Sequence, residues 1–303
     1  RKAERAGPPA CLGHEGGGLK NNGGQARALA CLFLLALCAG SAAWGTGPDT
    51  GTPAVLVFPP TDQLFQRLLA DPRQARTTGR YYQQGEFHLA DISRGDSWGR
   101  GRGGRGEWKA QWNVEGMAYS RFRLTGGINE FQTIDFFGNL PVELRRGRFS
   151  GRVTLFHESS HLGDDYIRRT NDLGFRYSVE GIRGVGSWDA HPFLRLYGGG
   201  VGMIHSVPRR QSGELQAGFE ARGPDLHWIT RHPCYFYLAQ DTQWKGRTAW
   251  NPNSNTELGL RIAYTGALRS LRVHGSYFGG HSEFGQFFSR IENRFDFGIT
   301  LDF

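Results

Sequence analysis

The chain has 303 residues, with 36 lysines and arginines against 28 aspartates and glutamates and a net charge of +8. Glycine stands at 45 residues, about twice ordinary usage, 13% of the chain is aromatic, and the mean hydropathy is −0.48. Helical membrane proteins need repeated apolar runs of about 20 residues and disordered chains are poor in aromatics, so both classes are excluded and a turn-rich all-β protein remains.

Residues 1–26 are of low complexity. Arg27 then precedes an apolar run over 28–40, closed by Ser41-Ala42-Ala43. A basic start, a short apolar stretch and small closing residues mark a secretory signal with cleavage near Ala43. The run falls short of the roughly 20 residues of a membrane anchor, and Leu37 before Cys38 is not the small residue that lipoprotein processing needs. Removal of 1–43 takes Cys11, Cys31 and Cys38 with it and leaves Cys234 without a partner for an internal disulfide. Stability must then come from elsewhere, and a closed sheet supplies it. The same cleavage lowers the charge by three, from +8 to +5, a mild excess that reads as a solvated face or a surface toward anionic lipid.

Residues 44–75 read as a short periplasmic segment ahead of the sheet, in which Leu64-Phe65-Gln66-Arg67-Leu68-Leu69 forms a short helix stopped by Asp71-Pro72. Short strands are expected near 76–82 and 86–92. The Gly/Arg-rich stretch 94–106 (RGDSWGRGRGGRG) would suggest RNA in isolation; behind an export signal it reads as a flexible loop or a lipid-phosphate contact, and nucleic acid is not an expected partner. Its Arg-Gly-Asp at 94–96 is a chance match in so glycine-rich a stretch.

Alternation then runs along the chain. Trp108, Ala110, Trp112, Val114 and Ala118 alternate with Glu107, Lys109, Gln111, Asn113 and Glu115, and Leu258, Leu260, Ile262 and Tyr264 with Glu257, Gly259, Arg261 and Ala263. Similar segments lie near 131–145, 148–159, 171–186, 190–206, 213–228, 234–245 and 269–280. Connections at 145–148, 186–190 and 265–268 look tight, and those at 160–170, 246–254 and 281–292 long. This is the asymmetry of a membrane barrel with short periplasmic turns and long outer loops. In the last ten residues, 294–303, every odd position is apolar and every even one polar or glycine, the period-two pattern of a bilayer-crossing strand. The expected fold is an all-β, antiparallel transmembrane β-barrel of about ten to twelve strands over 76–303. The last strand resembles the terminal strand of bacterial outer-membrane barrels, which implies that the barrel-assembly machinery reads Phe303, that lipid surrounds the wall, and that the protein resides in the bacterial outer membrane.

The stretch 148–172 (RFSGRVTLFHESSHLGDDYIRRTND) carries the residues with chemical potential. His157-Glu158-Ser159-Ser160-His161 fits the zinc-protease string His-Glu-x-x-His, which works on a helix, where residues four apart share a face. On a strand the two histidines lie about 13 Å apart and cannot share one ion. A strand instead places His157 and Ser159 on one face, about 6.7 Å apart, in the lipid-facing row set by Phe149, Val153 and Leu155. A hairpin centred on Asp164, with Leu173, Phe175, Tyr177 and Val179 also outward, sets Asn171 opposite His157. Ser159, His157 and Asn171 are thus candidate nucleophile, base and orienter. Asp164 and Asp165 in the adjoining turn offer two carboxylates to calcium, or make a plain solvated turn.

The His-x-Ser pair, with a polar residue fourteen positions after the histidine, resembles outer-membrane phospholipase A and the lipid A 3-O-deacylase. That likeness implies a lipid ester hydrolase acting from the barrel wall; Ser160-His161 departs from both families, which have Asn beside the serine. Leu69-Ala70-Asp71-Pro72-Arg73, the run from Arg145 to Arg152 and Ser159-Ser160-His161-Leu162-Gly163-Asp164-Asp165 resemble a bacterial domain-of-unknown-function family of outer-membrane barrels. That resemblance implies fold and location and no activity. A structural barrel, a pore or an adhesin remains the alternative to an enzyme, with His157 and Ser159 then bonded to one another at the headgroup level.

Overall fold

A computed structural model describes residues 63–303, apart from 126–127, 210–212, 228–229 and 266–267. The expected signal peptide and the first part of the 44–75 segment lie outside the described residues. The described residues form twelve strands: β1 (Thr77–Gln84), β2 (Phe87–Arg105), β3 (Trp108–Thr125), β4 (Ile128–Arg146), β5 (Phe149–Leu162), β6 (Tyr177–His191), β7 (Leu194–Val207), β8 (Glu214–Arg222), β9 (Cys234–Lys245), β10 (Pro252–Ala263), β11 (Ser270–His281) and β12 (Ile291–Asp302). Each pairs antiparallel with its neighbours, and β1 closes on β12 with Tyr81 opposite Phe297. Closure leaves no edge for another chain to pair with.

The wall is inverted relative to a soluble barrel. On β12, Phe295, Phe297 and Ile299 are 72%, 73% and 55% exposed, while Arg294, Asp296 and Thr300 between them are buried. On β11, Val273 and Tyr277 face out and Arg272 and His274 face in. Apolar side chains outside and polar ones inside are what a bilayer requires of a spanning sheet. The fold is therefore a transmembrane barrel with the upper number of expected strands.

Two stretches depart from expectation. The Gly/Arg-rich 94–106 is not a loop: most of it belongs to β2, paired with β3 from Arg94 opposite Ala118 to Arg105 opposite Trp108. Gly95 serves packing, since a Cβ there would lie 3.2 Å from the Arg76 nitrogen and 3.3 Å from Ala75 Cα. Residues 64–69 form no helix, and 63–76 do not stand ahead of the barrel; they thread its lumen. Leu64, Phe65, Leu68 and Leu69 are all buried; Phe65 and Leu68 pack with Val185 and Tyr197, and Leu69 with Tyr237. The Leu64 and Phe65 N–H groups donate to Glu143 Oε2 at 3.0 and 3.1 Å, and the Leu69 N–H to Glu220 Oε1 at 2.7 Å. Lumenal carboxylates thus replace the bonds a helix would have made, and a one- or two-turn helix has little stability of its own.

Asp71 anchors this internal segment. Arg183 from β6 pairs with it, and the Gln74 amide and Arg73 N–H donate to it at 2.7 and 3.0 Å. Burial alone would push its carboxyl up; Arg183 and these donors outweigh burial and hold it well below the usual carboxylate range. From the opposite mouth, Gly285 and Gln286 dip inward and donate to Asp135 Oδ2 and Ser160 Oγ at 3.1 and 3.0 Å. Ion pairs fill much of the remaining interior, among them Arg121 with Asp91 and Glu292 at 2.8 and 2.5 Å. A lumen filled in this way is not a wide aqueous channel.

Candidate active site

β5 is a regular strand from Phe149 to Leu162, and its outward row is Phe149, Val153, Leu155, His157, Ser159 and His161. His157 and Ser159 therefore share the outer face, as their spacing predicts. Glu158 and Ser160 face the lumen, and Ser160 accepts the Gln286 N–H. With Glu158 on the other face from His157 and His161, the zinc-protease string has no helical arrangement here.

The hairpin does not turn on Asp164. A helix, α1 (Asp164–Thr170), starts after Gly163, where a Cβ would meet the Phe131 carbonyl oxygen at 2.2 Å. Asp164 and Asp165 in its first turn and Arg168 and Arg169 in its last complement the helix dipole. Asn171 caps it in the left-handed conformation, φ 57°, its N–H bonded to the Ile167 carbonyl. Because this loop runs to residue 176, β5 and β6 pair nine positions away from the expected register. His157 lies opposite Glu180, not Asn171. The outward residues of β6 are consequently even, Ser178, Glu180, Ile182 and Trp188, while Tyr177 and Val179 point inward.

Glu180 stands beside His157 in the place the expected register gives Asn171. Its Oε1 lies 2.8 Å from His157 Nδ1 and accepts the Ser178 hydroxyl at 3.1 Å; its Oε2 lies 2.5 Å from His205 Nδ1. Ser159 faces Ser178 across the same strand pair, a separation of about 4.5–5.5 Å between directly opposed residues. A bulge in the β6–β7 register between Glu180 and Gly181 brings His205 opposite Glu180 on the outer face; bulges recur where a side chain must be re-aimed. The Glu180 carboxylate is 16% exposed, against 45% and 42% for the His157 and His205 side chains. The carboxylate is thus sheltered beneath two imidazoles that look outward. A carboxylate accepts only, so His157 carries its proton on Nδ1 and leaves Nε2 as the basic nitrogen. Below these residues, away from the β5–α1 loop, the outward positions of β6 and β7 include Gly184, Gly186, Gly198, Gly200 and Gly202. They form a shallow trough beside Val153 and Leu155.

Sequence reasoning missed Glu180, Ser178 and His205. The signal lay in the parity of Ile182 and Trp188, large apolar residues that assign even positions of this strand to lipid and make Glu180 a charged intruder in that row. Asp164 and Asp165 stand in the first turn of α1 without a third metal-ligating side chain beside them among the described residues. Asp165 spends one oxygen on the Phe131 N–H at 3.2 Å and the other on Arg168 at 3.3 Å, and no cluster of three metal-ligating side chains occurs among the described residues.

Residues 51–303 match the family model described as a protein of unknown function, DUF1207. No curated protein matches the chain. Among solved structures it is similar to outer membrane phospholipase A from Escherichia coli, with TM-score 0.50 and 12% identity over 77% of this chain and 93% of that one. It is also similar to the Salmonella typhi outer membrane phospholipase dimer with bound calcium, with TM-score 0.49 and 12% identity over 79% and 95% of the two chains. A third similar structure is the KdgM porin, at TM-score 0.41 and 8% identity over 75% of this chain and 98% of the porin. At such identities the phospholipase likeness is one of fold.

Proposed function

The chain belongs to the DUF1207 family, and we propose that it is a bacterial outer-membrane barrel that hydrolyses lipid esters from its outer wall. The observation that carries this reading is the lipid-facing Ser159, His157 and Glu180 set, in which Glu180 holds His157 at 2.8 Å with Nε2 unspent. A buried-edge carboxylate bonded to two histidines in a lipid-facing row is costly to maintain without a use. The Ser159 hydroxyl attacks the ester carbonyl while His157 Nε2 takes its proton; the ester C–O bond breaks and the departing alcohol takes that proton. Water, deprotonated by the same nitrogen, then releases the fatty acid and restores Ser159. Glu180 fixes the imidazole and stabilises its charged form, as an orienting carboxylate does in such triads.

The site opens toward the membrane, so an acyl chain stays in lipid while its ester meets Ser159, and the glycine trough gives the chain a smooth wall to lie along. With the C-terminus periplasmic, the β5–α1 end and this site belong to the outer leaflet. Surrounding lipid, and an assembly machinery reading the strand that ends at Phe303, are the partners this placement requires. The Salmonella phospholipase carries calcium; in this chain a calcium contribution would need ligands other than Asp164 and Asp165, and no step here is routed through the ion. The filled lumen speaks against a passive pore as the second reading.

The test is fatty-acid release from phospholipid and from lipid A by the purified, refolded barrel. Wild type is expected to release fatty acid from one of them, and Ser159→Ala and His157→Ala to abolish release. No release from either lipid, or equal release by Ser159→Ala, leaves a structural barrel.

A further inference from the structure

A pocket of about 280 Å³ opens at the opposite mouth of the barrel, the end where the chain terminates. It lies inside the wall, between the internal segment and the inward faces of β10, β11 and β12. Five arginines border it, Arg67, Arg76, Arg261, Arg269 and Arg272, and Asp302 is the single carboxylate among its lining residues. A single water needs roughly 10–15 Å³, so the space admits a solute.

Arg67, Arg76, Arg261 and Arg272 outnumber the carboxylates that pair with them, Asp96, Glu257 and Asp302. Arg76 is buried and donates only to the carbonyls of Leu68, Leu69 and Asp71. Arg272, fully buried, pairs with Glu257 at 2.6 Å through one terminal nitrogen; its Nε stands 3.7 Å from Asp302, beyond hydrogen-bond distance, and its other terminal nitrogen has no hydrogen-bond acceptor. Arg261 reaches only the Tyr235 hydroxyl at 3.3 Å, and its Nε has none. Arg67 stands 3.5 Å from both Asp96 and Asp302, and its Nε too lacks an acceptor. Burial, and next the neighbouring Arg272, pull Arg76 down to about 10. Buried donors are ordinarily paired, and planar guanidinium groups with spare N–H donors fit tetrahedral oxyanions in bidentate fashion.

We propose that this mouth pocket binds a soluble phosphate-bearing polyanion, held by Arg67, Arg261 and Arg272. Its inward-facing lining places it in the aqueous compartment at that mouth and out of reach of the lipid surrounding the wall. The site is separate from Ser159 and independent of any hydrolytic activity there.

Isothermal titration of the full-length barrel in a maltoside detergent, with pyrophosphate as probe, tests it. Saturable binding is expected that weakens steeply with added salt. Arg261→Gln and Arg67→Gln are each expected to weaken it about tenfold, the effect of losing one charge-assisted contact. Asp302→Asn removes the opposing carboxylate and is expected to tighten binding severalfold, a gain that misfolding cannot produce. Heat-modifiable gel migration verifies that each variant is folded. Absence of saturable binding up to millimolar pyrophosphate, or unchanged binding in folded Arg261→Gln, overturns the site. Displacement of pyrophosphate by phosphatidylglycerol but not by orthophosphate overturns the soluble ligand in favour of a lipid headgroup.

Discussion

His157 Nδ1 lies 2.8 Å from Glu180 Oε1 across the β5–β6 pair, and this bond decides which imidazole nitrogen is left to act as a base. Glu180→Gln keeps the shape but offers an amide whose N–H₂ face disfavours the required tautomer. Fatty-acid release is expected to fall by up to about 10⁴-fold, the loss seen when an orienting carboxylate becomes an amide. Asn171→Ala, which touches only the end of α1, is expected to leave the rate within about twofold of wild type. A large loss in Asn171→Ala with none in Glu180→Gln would reverse the assignment.

The trough along β6 and β7 makes a separate prediction. A Cβ on Gly184 or Gly202 meets nothing within 4 Å, so a side chain can start there without a clash and extend where an acyl chain would lie. Gly184→Trp is expected to lower release from long-chain esters more than from short-chain ones. Equal loss on both, measured as kcat/KM over a chain-length series, would place the acyl chain elsewhere.

Asp71 ties the internal segment to the wall through Arg183, Gln74 and Arg73. Removing one member of a buried ion pair costs about 3–5 kcal/mol, so Asp71→Ala is expected to lower the temperature of the heat-modifiable transition markedly. Displacing the segment also opens the lumen. Deletion of residues 63–75 is expected to raise single-channel conductance in planar bilayers well above that of wild type, and equal conductance would mean that other groups close the barrel.

The same carboxylate sets a pH dependence. Its folded value lies below its ordinary value of 3.8, so its stabilisation is fully present above about pH 3.8 and fades as the pH falls toward the folded value. The unfolding temperature of wild type is expected to drop between about pH 4 and pH 2, and that of Asp71→Asn to start lower and change less over the same window.

Asp165 accepts the Phe131 N–H and faces Arg168. Asp165→Asn removes the charge that faces Arg168 and the first turn of α1, a loss of about 0.3–1 kcal/mol. Any response of activity to added calcium is expected to be the same in this variant as in wild type; a selective loss of calcium response would restore Asp164 and Asp165 as ligands.

Much was fixed by the chain alone. Period-two alternation with large apolar residues on one side, as in Phe295, Phe297, Ile299 and Leu301, marks a strand with one apolar face, in a soluble sandwich or in lipid. Repeated along a chain with alternating short and long connections, it made the barrel and the shared face of His157 and Ser159 legible from spacing. What alternation cannot fix is the offset between two strands joined by a loop of unknown path. Residues 163–176 hide a helix and a left-handed Asn171, and the outward glycines Gly184 and Gly186 leave only Ile182 and Trp188 to mark the parity of β6. Tertiary structure therefore chose Glu180 over Asn171, and a bulge brought His205 to it. The lumen was equally out of reach: Leu64, Phe65, Leu68 and Leu69 read as one face of a helix because local spacing is blind to a polar cavity twelve strands wide, whose carboxylates bind the backbone of that segment and whose few apolar patches bury its side chains.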